Sequence, residues 1–336
     1  MRSTTIQHFE DYNKEFDLEV FFEELGEKTL EDRDEFYRTV MRAIFKSNPK
    51  LKKINDIDYD KEYERKVKDD EDAKDELFQT YEVLGMMREW LNFKQIYKFD
   101  LDTLDTLFES KCSDLTYEEL KCLKMPYECF AIENDIAYKD IVIDSTLVCR
   151  RMGTELEMSI LSIYGYAKRD KSQRLVRLDL IVEKGKSLYE YLEEHADEEC
   201  IEYVKKVLNL IEYLCQPKVD VRIIRSTPKK KQIKKLKHFY NIDYEENEVG
   251  YRLGSAIRNY KYIYKKDESP LTPSDKPRRK VKPHTRCGHY HHYWIGKGRT
   301  DLIVKYVEPT FVLGGSKIAT IHNVKRDTLL NPKNKK

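Results

Sequence analysis

The spacing of the apolar residues changes at Met125-Pro126, and this change limits the folds open to the chain more than any other feature. Before it, residues 31–47 repeat apolar side chains every three or four positions, which is typical of one helix face. After it, residues 127–133 alternate apolar and polar side chains as a β-strand does. The pattern predicts an α+β protein: a mainly helical N-terminal region, then an antiparallel sheet with packed helices and a C-terminal β-hairpin.

The same patterns place further elements along the chain. Helices are predicted over 60–93, 100–110, 115–123, 188–193 and 198–214, and strands over 155–166, 175–182, 289–295 and 302–307. Asp100 or Asp102 is expected to cap the helix at 100–110, and Ser113 or Asp114 the next one. The strands over 127–133, 155–166 and 175–182 are expected to be neighbours in one antiparallel sheet. The last two should form a hairpin around Gly296 and Gly298.

We expect three regions. Residues 1–120 form the mainly helical region, 121–315 an α+β domain with a basic C-terminal part, and 316–336 a tail. No run approaches the roughly 18 apolar residues of a membrane helix. The N-terminus lacks the apolar stretch of a signal peptide, so we expect a cytosolic protein. The seven cysteines are scattered and never spaced as CxxC, which favours reduced thiols over a disulfide framework or a zinc ribbon.

The charges are divided unequally along the chain. The net charge is only +1, but residues 1–216 carry 33 basic and 50 acidic side chains, and residues 217–336 carry 29 and 11. A basic third of this kind is typical of proteins that bind a polyanion, although it also suits docking on the acidic part or a solvated surface. The densest run of basic residues comprises Lys229, Lys230, Lys231, Lys234, Lys235 and Lys237. This lysine run is predicted to contact RNA or a ribosomal surface.

Half of the histidines lie close together, at His284, His289, His291 and His292. On a strand, His289, His291 and Tyr293 would share one face, while Tyr290, His292 and Trp294 would share the other. Two imidazoles on one face suit a metal, but the sequence identifies no third ligand, so no metal or cofactor is predicted.

Two other functions suit the same segment. His289 and His291, with Arg286 on a phosphate, would suit acid–base catalysis in a ribonuclease. Recognition of RNA or a peptide by the histidine, tyrosine and arginine side chains is the other candidate, beside a purely structural hairpin. No Walker A, G-x-S-x-G or H-E-x-x-H motif is present, so an enzyme is not favoured.

Two C-terminal blocks carry a family resemblance. KPHTRCGHYHHYWIGKGRTDLIVKYVEPTFVLGG at 282–315, preceded by YRLGSAIRNYKY at 251–262, resembles a family of type V-A anti-CRISPR proteins from phages and mobile elements. Weaker resemblance extends upstream over 125–135 and 208–221. This chain has tyrosine at 290 and 306 where the family tends to have tryptophan, an aromatic exchange that should preserve packing.

The resemblance implies a function. Such a protein would recognise the N-terminal part of the nuclease as it is made in the bacterial cytoplasm, and loss of the nuclease mRNA would follow. The partners expected are the nascent nuclease peptide and, through the basic third, the ribosome or mRNA, with no membrane. The expected binding residues are His284, Arg286, His289, His291, Tyr293, Trp294, Arg252 and Arg258. The residues leave open whether RNA is cut by this chain or by a host factor, and whether another protein is the target.

Overall fold

A computed structural model describes most of the chain. The described residues are 3–26, 32–48, 58–153, 158–167, 174–225, 244–266, 284–286, 288–308 and 310–312. The lysine run at 229–237 and the predicted tail at 316–336 lie outside them. None of the described helices is long and apolar enough to cross a membrane.

The N-terminal region is helical, as predicted. Its helices are α1 (Thr4–Glu15), α2 (Leu18–Leu25), α3 (Arg33–Ser47), α4 (Tyr59–Lys66) and α5 (Glu71–Phe93). The single helix predicted over 60–93 is divided in two, because the Asp70 side chain accepts the Ala73 N–H and begins a new helix. Trp90 of α5 is fully buried and donates its indole N–H to the Gln95 carbonyl oxygen, 2.9 Å away.

Two short helices follow. They are α6 (Leu101–Phe108) and α7 (Tyr117–Cys122). Asp100 caps α6, which confirms one of the two expected caps. The caps expected for α7 were wrong. Thr116 caps it instead, in a capping box in which the Glu119 carboxylate accepts the Thr116 N–H.

One seven-stranded sheet organises the remainder, in the order β7-β6-β5-β2-β1-β9-β8. Its strands are β1 (Gln95–Phe99), β2 (Cys129–Ile132), β5 (Ser145–Gly153), β6 (Met158–Ala167), β7 (Arg174–Glu183), β8 (Val221–Arg225) and β9 (Glu245–Val249). The predicted α+β class is confirmed, but the sheet is mixed, because β1 pairs in parallel with both β2 and β9. β5 separates β2 from β6, so the three predicted strands are not all direct neighbours. β1 lies in the region that was expected to be helical. This strand was not predicted, because its QIYKF segment is almost wholly buried and lacks the alternation of apolar and polar residues used to recognise strands.

The middle of the sheet is buried on both faces. Alternate residues of β2 and β5 belong to two different clusters: Phe130 and Val148 pack with α9 (Glu198–Leu214), whereas Ala131 and Leu147 pack with α5 and the first helices. The remaining helices are α8 (Leu188–His195) and α10 (Tyr251–Lys266). The two helices predicted in the region 188–214 are confirmed.

Shorter strands complete the described fold. β3 (Ile136–Tyr138) pairs with β4 (Ile141–Ile143), and β10 (His284–Arg286) pairs with β13 (Thr310–Val312). β11 (His289–Ile295) and β12 (Asp301–Val307) form the antiparallel hairpin that the sequence predicted. Gly296 and Gly298 both have positive φ values, which suits glycine in its turn.

One pair of cysteines differs from expectation. Cys129 and Cys149 lie directly opposite each other in β2 and β5 and form a disulfide, whereas reduced thiols were predicted throughout. The pairing depends on strand register between residues 20 positions apart, so no cysteine spacing in the sequence indicates it. Four further cysteines of the described residues are free: Cys112, Cys122, Cys200 and Cys215.

Candidate functional site

The β11–β12 hairpin has one inner and one outer face. On the inner face, Leu302, Val304 and Tyr306 are buried in the same cluster as α9. On the outer face, Tyr293 is 47% exposed and Ile295 44%. The outer face carries His289, His291, Tyr293 and Ile295, opposite Val307, Lys305, Ile303 and Asp301. The predicted alternation of faces is therefore confirmed.

Aromatic hydroxyl groups attach the inner face to the core. Tyr290 donates its hydroxyl hydrogen to the Asn209 carbonyl oxygen on α9, at 2.5 Å. The Tyr306 hydroxyl lies 2.9 Å from Ser110 Oγ, just after α6. Gly288 faces the same tyrosine, and a Cβ there would lie 2.0 Å from the Tyr306 hydroxyl oxygen. The hairpin thus begins at a residue that has to be glycine for the tyrosine to keep its position.

His292 connects the hairpin to two helices. Its Nδ1 lies 3.2 Å from Glu119 Oε1 on α7, and its Nε2 lies 2.8 Å from Glu212 Oε1 on α9. The Glu212 side chain is fully buried, and that of His292 is 13% exposed. Burial alone lowers the pKa of His292, but the hydrogen bonds with Glu119 and Glu212 outweigh it and raise the pKa to about 9. At neutral pH the imidazole is therefore a cation between two carboxylates.

The sequence interpretation did not assign a role to His292, Glu119 or Glu212. One signal was present, because Glu212 lies within the apolar stripe of α9, where a carboxylate needs a partner. The hydrogen bond from His292 also lowers the pKa of Glu119. The three residues form an anchor beneath the predicted site rather than part of its exposed surface.

The outer face places two predicted residues in contact. His289 Nε2 and His291 Nε2 lie 3.1 Å apart, and the Tyr293 ring centroid lies 5.9 Å from that of His291. Trp294 points to the other face and packs against the core, so it is not brought together with Tyr293. Two imidazoles and a phenol ring thus form a continuous surface that faces solvent.

The hairpin lies within a longer span that decides the family. Residues 97–314 match the AcrVA2-like family, described as the anti-CRISPR type V subtype A2 family. The chain belongs to this family. The predicted resemblance is thereby confirmed.

Comparison with solved structures also finds a likeness. The crystal structure of AcrVA2 aligns with a TM-score of 0.45 and 19% identity, over 68% of this chain and 75% of that one. Comparison with curated protein sequences finds no significant match. The span that matches the AcrVA2-like family starts within β1 and includes the whole hairpin, whereas α1–α5 precede it.

The two predicted arginines on α10 form ion pairs with aspartates of the same chain. Arg258 Nη1 donates to Asp100 Oδ2 at 2.8 Å and to Asp102 Oδ2 at 2.9 Å. Arg252 Nε donates to Asp220 Oδ1, also at 2.8 Å. Both guanidinium groups remain about half exposed or more, so they join α10 to its neighbours while presenting free edges to solvent.

Two further predicted site residues, His284 and Arg286, lie apart from the hairpin. His284 and Arg286 lie on β10, opposite Val312 and Thr310, in a pair of strands separate from the hairpin. Within the described ranges, no three His, Cys, Asp or Glu side chains are arranged to hold a metal ion.

Proposed function

We propose that the chain lowers the production of a type V-A CRISPR nuclease by binding the nuclease's N-terminal peptide as it leaves the ribosome, and that loss of the nuclease mRNA follows. Membership of the AcrVA2-like anti-CRISPR family supports the choice of target. The observation that carries the proposal is the outer face of the hairpin, which lies within the matched region and faces solvent.

The outer face has the chemistry for an unfolded peptide. His291 lies opposite Lys305, Tyr293 opposite Ile303, and Ile295 opposite Asp301. These pairs offer hydrogen-bond donors, an aromatic ring, apolar contacts and charges of both signs along the ribbon. An extended chain presents alternate side chains at similar spacing, so it could contact several of these pairs at once.

The inner face supports this role because its side chains attach the hairpin to the core. His292, Tyr290 and Tyr306 attach it to α7, α9 and the end of α6. A rigid surface loses little conformational entropy on binding, so more of the contact energy remains as affinity. His284, Arg286, Arg252 and Arg258 are proposed as further contacts, and Trp294 as part of the inner face that packs against the core.

Co-expression with a type V-A nuclease tests the proposal. The nuclease gene is supplied in three versions: native, with synonymous codons over its N-terminal segment, and with altered amino acids there. We expect the amount of nuclease mRNA to fall with the first two versions and to stay unchanged with the third, because the protein recognises the amino-acid sequence of the nascent peptide. Loss of mRNA with all three versions, or with none, contradicts recognition of the nascent peptide.

Single variants then locate the surface. Tyr293→Ala and His291→Ala should restore nuclease mRNA, whereas Tyr127→Ala, which removes another exposed tyrosine, should not. Equal effects of Tyr293→Ala and Tyr127→Ala would place the binding surface elsewhere. Circular dichroism checks that all three variants stay folded.

The imidazole pair favours one other function, a histidine-dependent ribonuclease. The imidazoles of His289 and His291, whose Nε2 atoms lie 3.1 Å apart, could act as base and acid toward an RNA phosphate. In that case the purified protein would cut RNA, and His291→Ala would abolish cleavage without abolishing RNA binding. Absence of cleavage at high protein concentration, with varied divalent ions, rules this function out.

A further inference from the structure

The geometry of the His289–His291 pair suits a metal ion. The residues are two positions apart on β11, their rings lie 4.8 Å apart at 68°, and their Nε2 atoms lie 3.1 Å apart. Within the described part of the chain, neither ring is paired with a carboxylate, in contrast to His292. We propose that His289 and His291 form a two-imidazole site for a divalent transition metal on the outer face of the hairpin.

The distance between the nitrogens supports this site. Imidazole nitrogens bind zinc at about 2.0–2.1 Å, so two of them lie about 3.3 Å apart at a tetrahedral angle and about 2.9 Å apart at a right angle. The observed 3.1 Å falls between these values. A metal can therefore reach both nitrogens with only small side-chain movements. Without a metal, the two Nε2 atoms can form a hydrogen bond with each other only when one of them carries a hydrogen and the other does not.

The donor set indicates which ions would bind. Imidazole suits zinc, nickel and copper, and affinity for a given site is highest for Cu²⁺ among the divalent ions of this series. Two protein ligands leave the other positions to water, because the outer face is open to solvent. The site is thus of the open kind, in which a donor from another molecule can replace a water.

One neighbouring residue opposes the bound cation and provides a sharp test. Lys305 lies directly opposite His291 on the same face of the ribbon. Its ammonium group repels a metal, whereas an imidazole there would be a third ligand, since the Cβ atoms of such opposed residues lie about 4.5–5.5 Å apart. Lys305→His should therefore tighten binding.

The experiment is a calorimetric titration of the full chain with Cu²⁺ at neutral pH. The protein carries no histidine tag and is first treated with a chelator. We expect one saturable site, at least tenfold weaker binding in His289→Ala and in His291→Ala, unchanged binding in His195→Ala, and at least tenfold tighter binding in Lys305→His. All four positions lie at or near the surface, so the variants should remain folded, which circular dichroism checks.

Two results would overturn the proposal. One is the absence of a saturable site in the unmodified chain. The other is equal binding by the unmodified chain and both alanine variants, which would place the copper on other histidines. The titration uses the purified protein alone, so its outcome is independent of the proposed effect on a nuclease.

Discussion

His292→Gln should cost the protein about 3 kcal/mol more of its unfolding free energy at pH 6 than at pH 10. In the folded protein the pKa of His292 rises from 6.5 to about 9. A tenfold change in proton affinity between the folded and unfolded states corresponds to about 1.4 kcal/mol, so the full contribution of this histidine is about 3 kcal/mol. Because the folded pKa is raised, this stability is fully present below pH 6.5 and is lost as the pH rises through 9.

The structure explains why glutamine does not replace the histidine. A glutamine can donate one hydrogen bond, but it supplies no charge to Glu119 or to the fully buried Glu212. Removing the imidazolium leaves the buried Glu212 carboxylate without a compensating charge, and the contribution from proton binding already expresses this loss. Above pH 9 the histidine of the unmodified protein is neutral as well, so the variant loses this contribution only at low pH.

Urea unfolding at pH 6 and pH 10, in the presence of a chelator, measures the difference. Lysines and tyrosines also titrate toward pH 10, but they do so in both proteins, so the difference between protein and variant isolates His292. His195→Gln is the matched control: its ring is exposed and Nδ1 lies 2.9 Å from the Tyr191 carbonyl oxygen. We expect it to cost less than about 1 kcal/mol at pH 6. An equal loss from His292→Gln at both pH values, or a larger loss at pH 10, would refute the reasoning.

Three further predictions concern other parts of the chain. Gly288→Ala should cost about 1–3 kcal/mol in urea unfolding, because its Cβ would collide with Tyr306, and Tyr306→Phe in the same chain should recover part of that loss; no recovery would contradict the collision. Asp100→Ala should cost about 1–2 kcal/mol, because it removes the cap of α6 and a partner of Arg258, whereas Asp105→Ala on the exposed side of α6 should cost under about 0.5 kcal/mol. Charge reversal at Lys230, Lys234 and Lys237 should weaken RNA binding and reduce the slope of log affinity against log salt by about 2, and an unchanged slope would exclude those contacts.

The alternating pattern of β11 was sufficient to predict the two faces of the hairpin. The side chains of a strand alternate whatever lies beside it, so His289, His291 and Tyr293 had to share a face. The helical periodicity of α3 and α9 is local in the same sense. The family was also readable from the sequence, because the C-terminal motif carries many histidine, tyrosine and glycine positions in fixed order.

The contacts of those faces could not be read in the same way. His292 meets Glu119 and Glu212, which lie 173 and 80 positions away, and nothing local to any of the three selects the others. β1 makes the sheet mixed by pairing in parallel with β9, and the paired residues Gln95 and Glu245 lie 150 positions apart along the chain. The Cys129–Cys149 pair likewise follows from the register of β2 with β5.

The α+β class, the family and the two faces of the hairpin follow from the order of residues along the chain. Which face is attached to the core, and by which contacts, depends on packing between residues that lie far apart in the sequence. A buried carboxylate needs a compensating charge, and packing α9 against the hairpin brings Glu212 to His292. That contact fixes the inner face, and it leaves His289, His291 and Tyr293 on the outer face toward solvent.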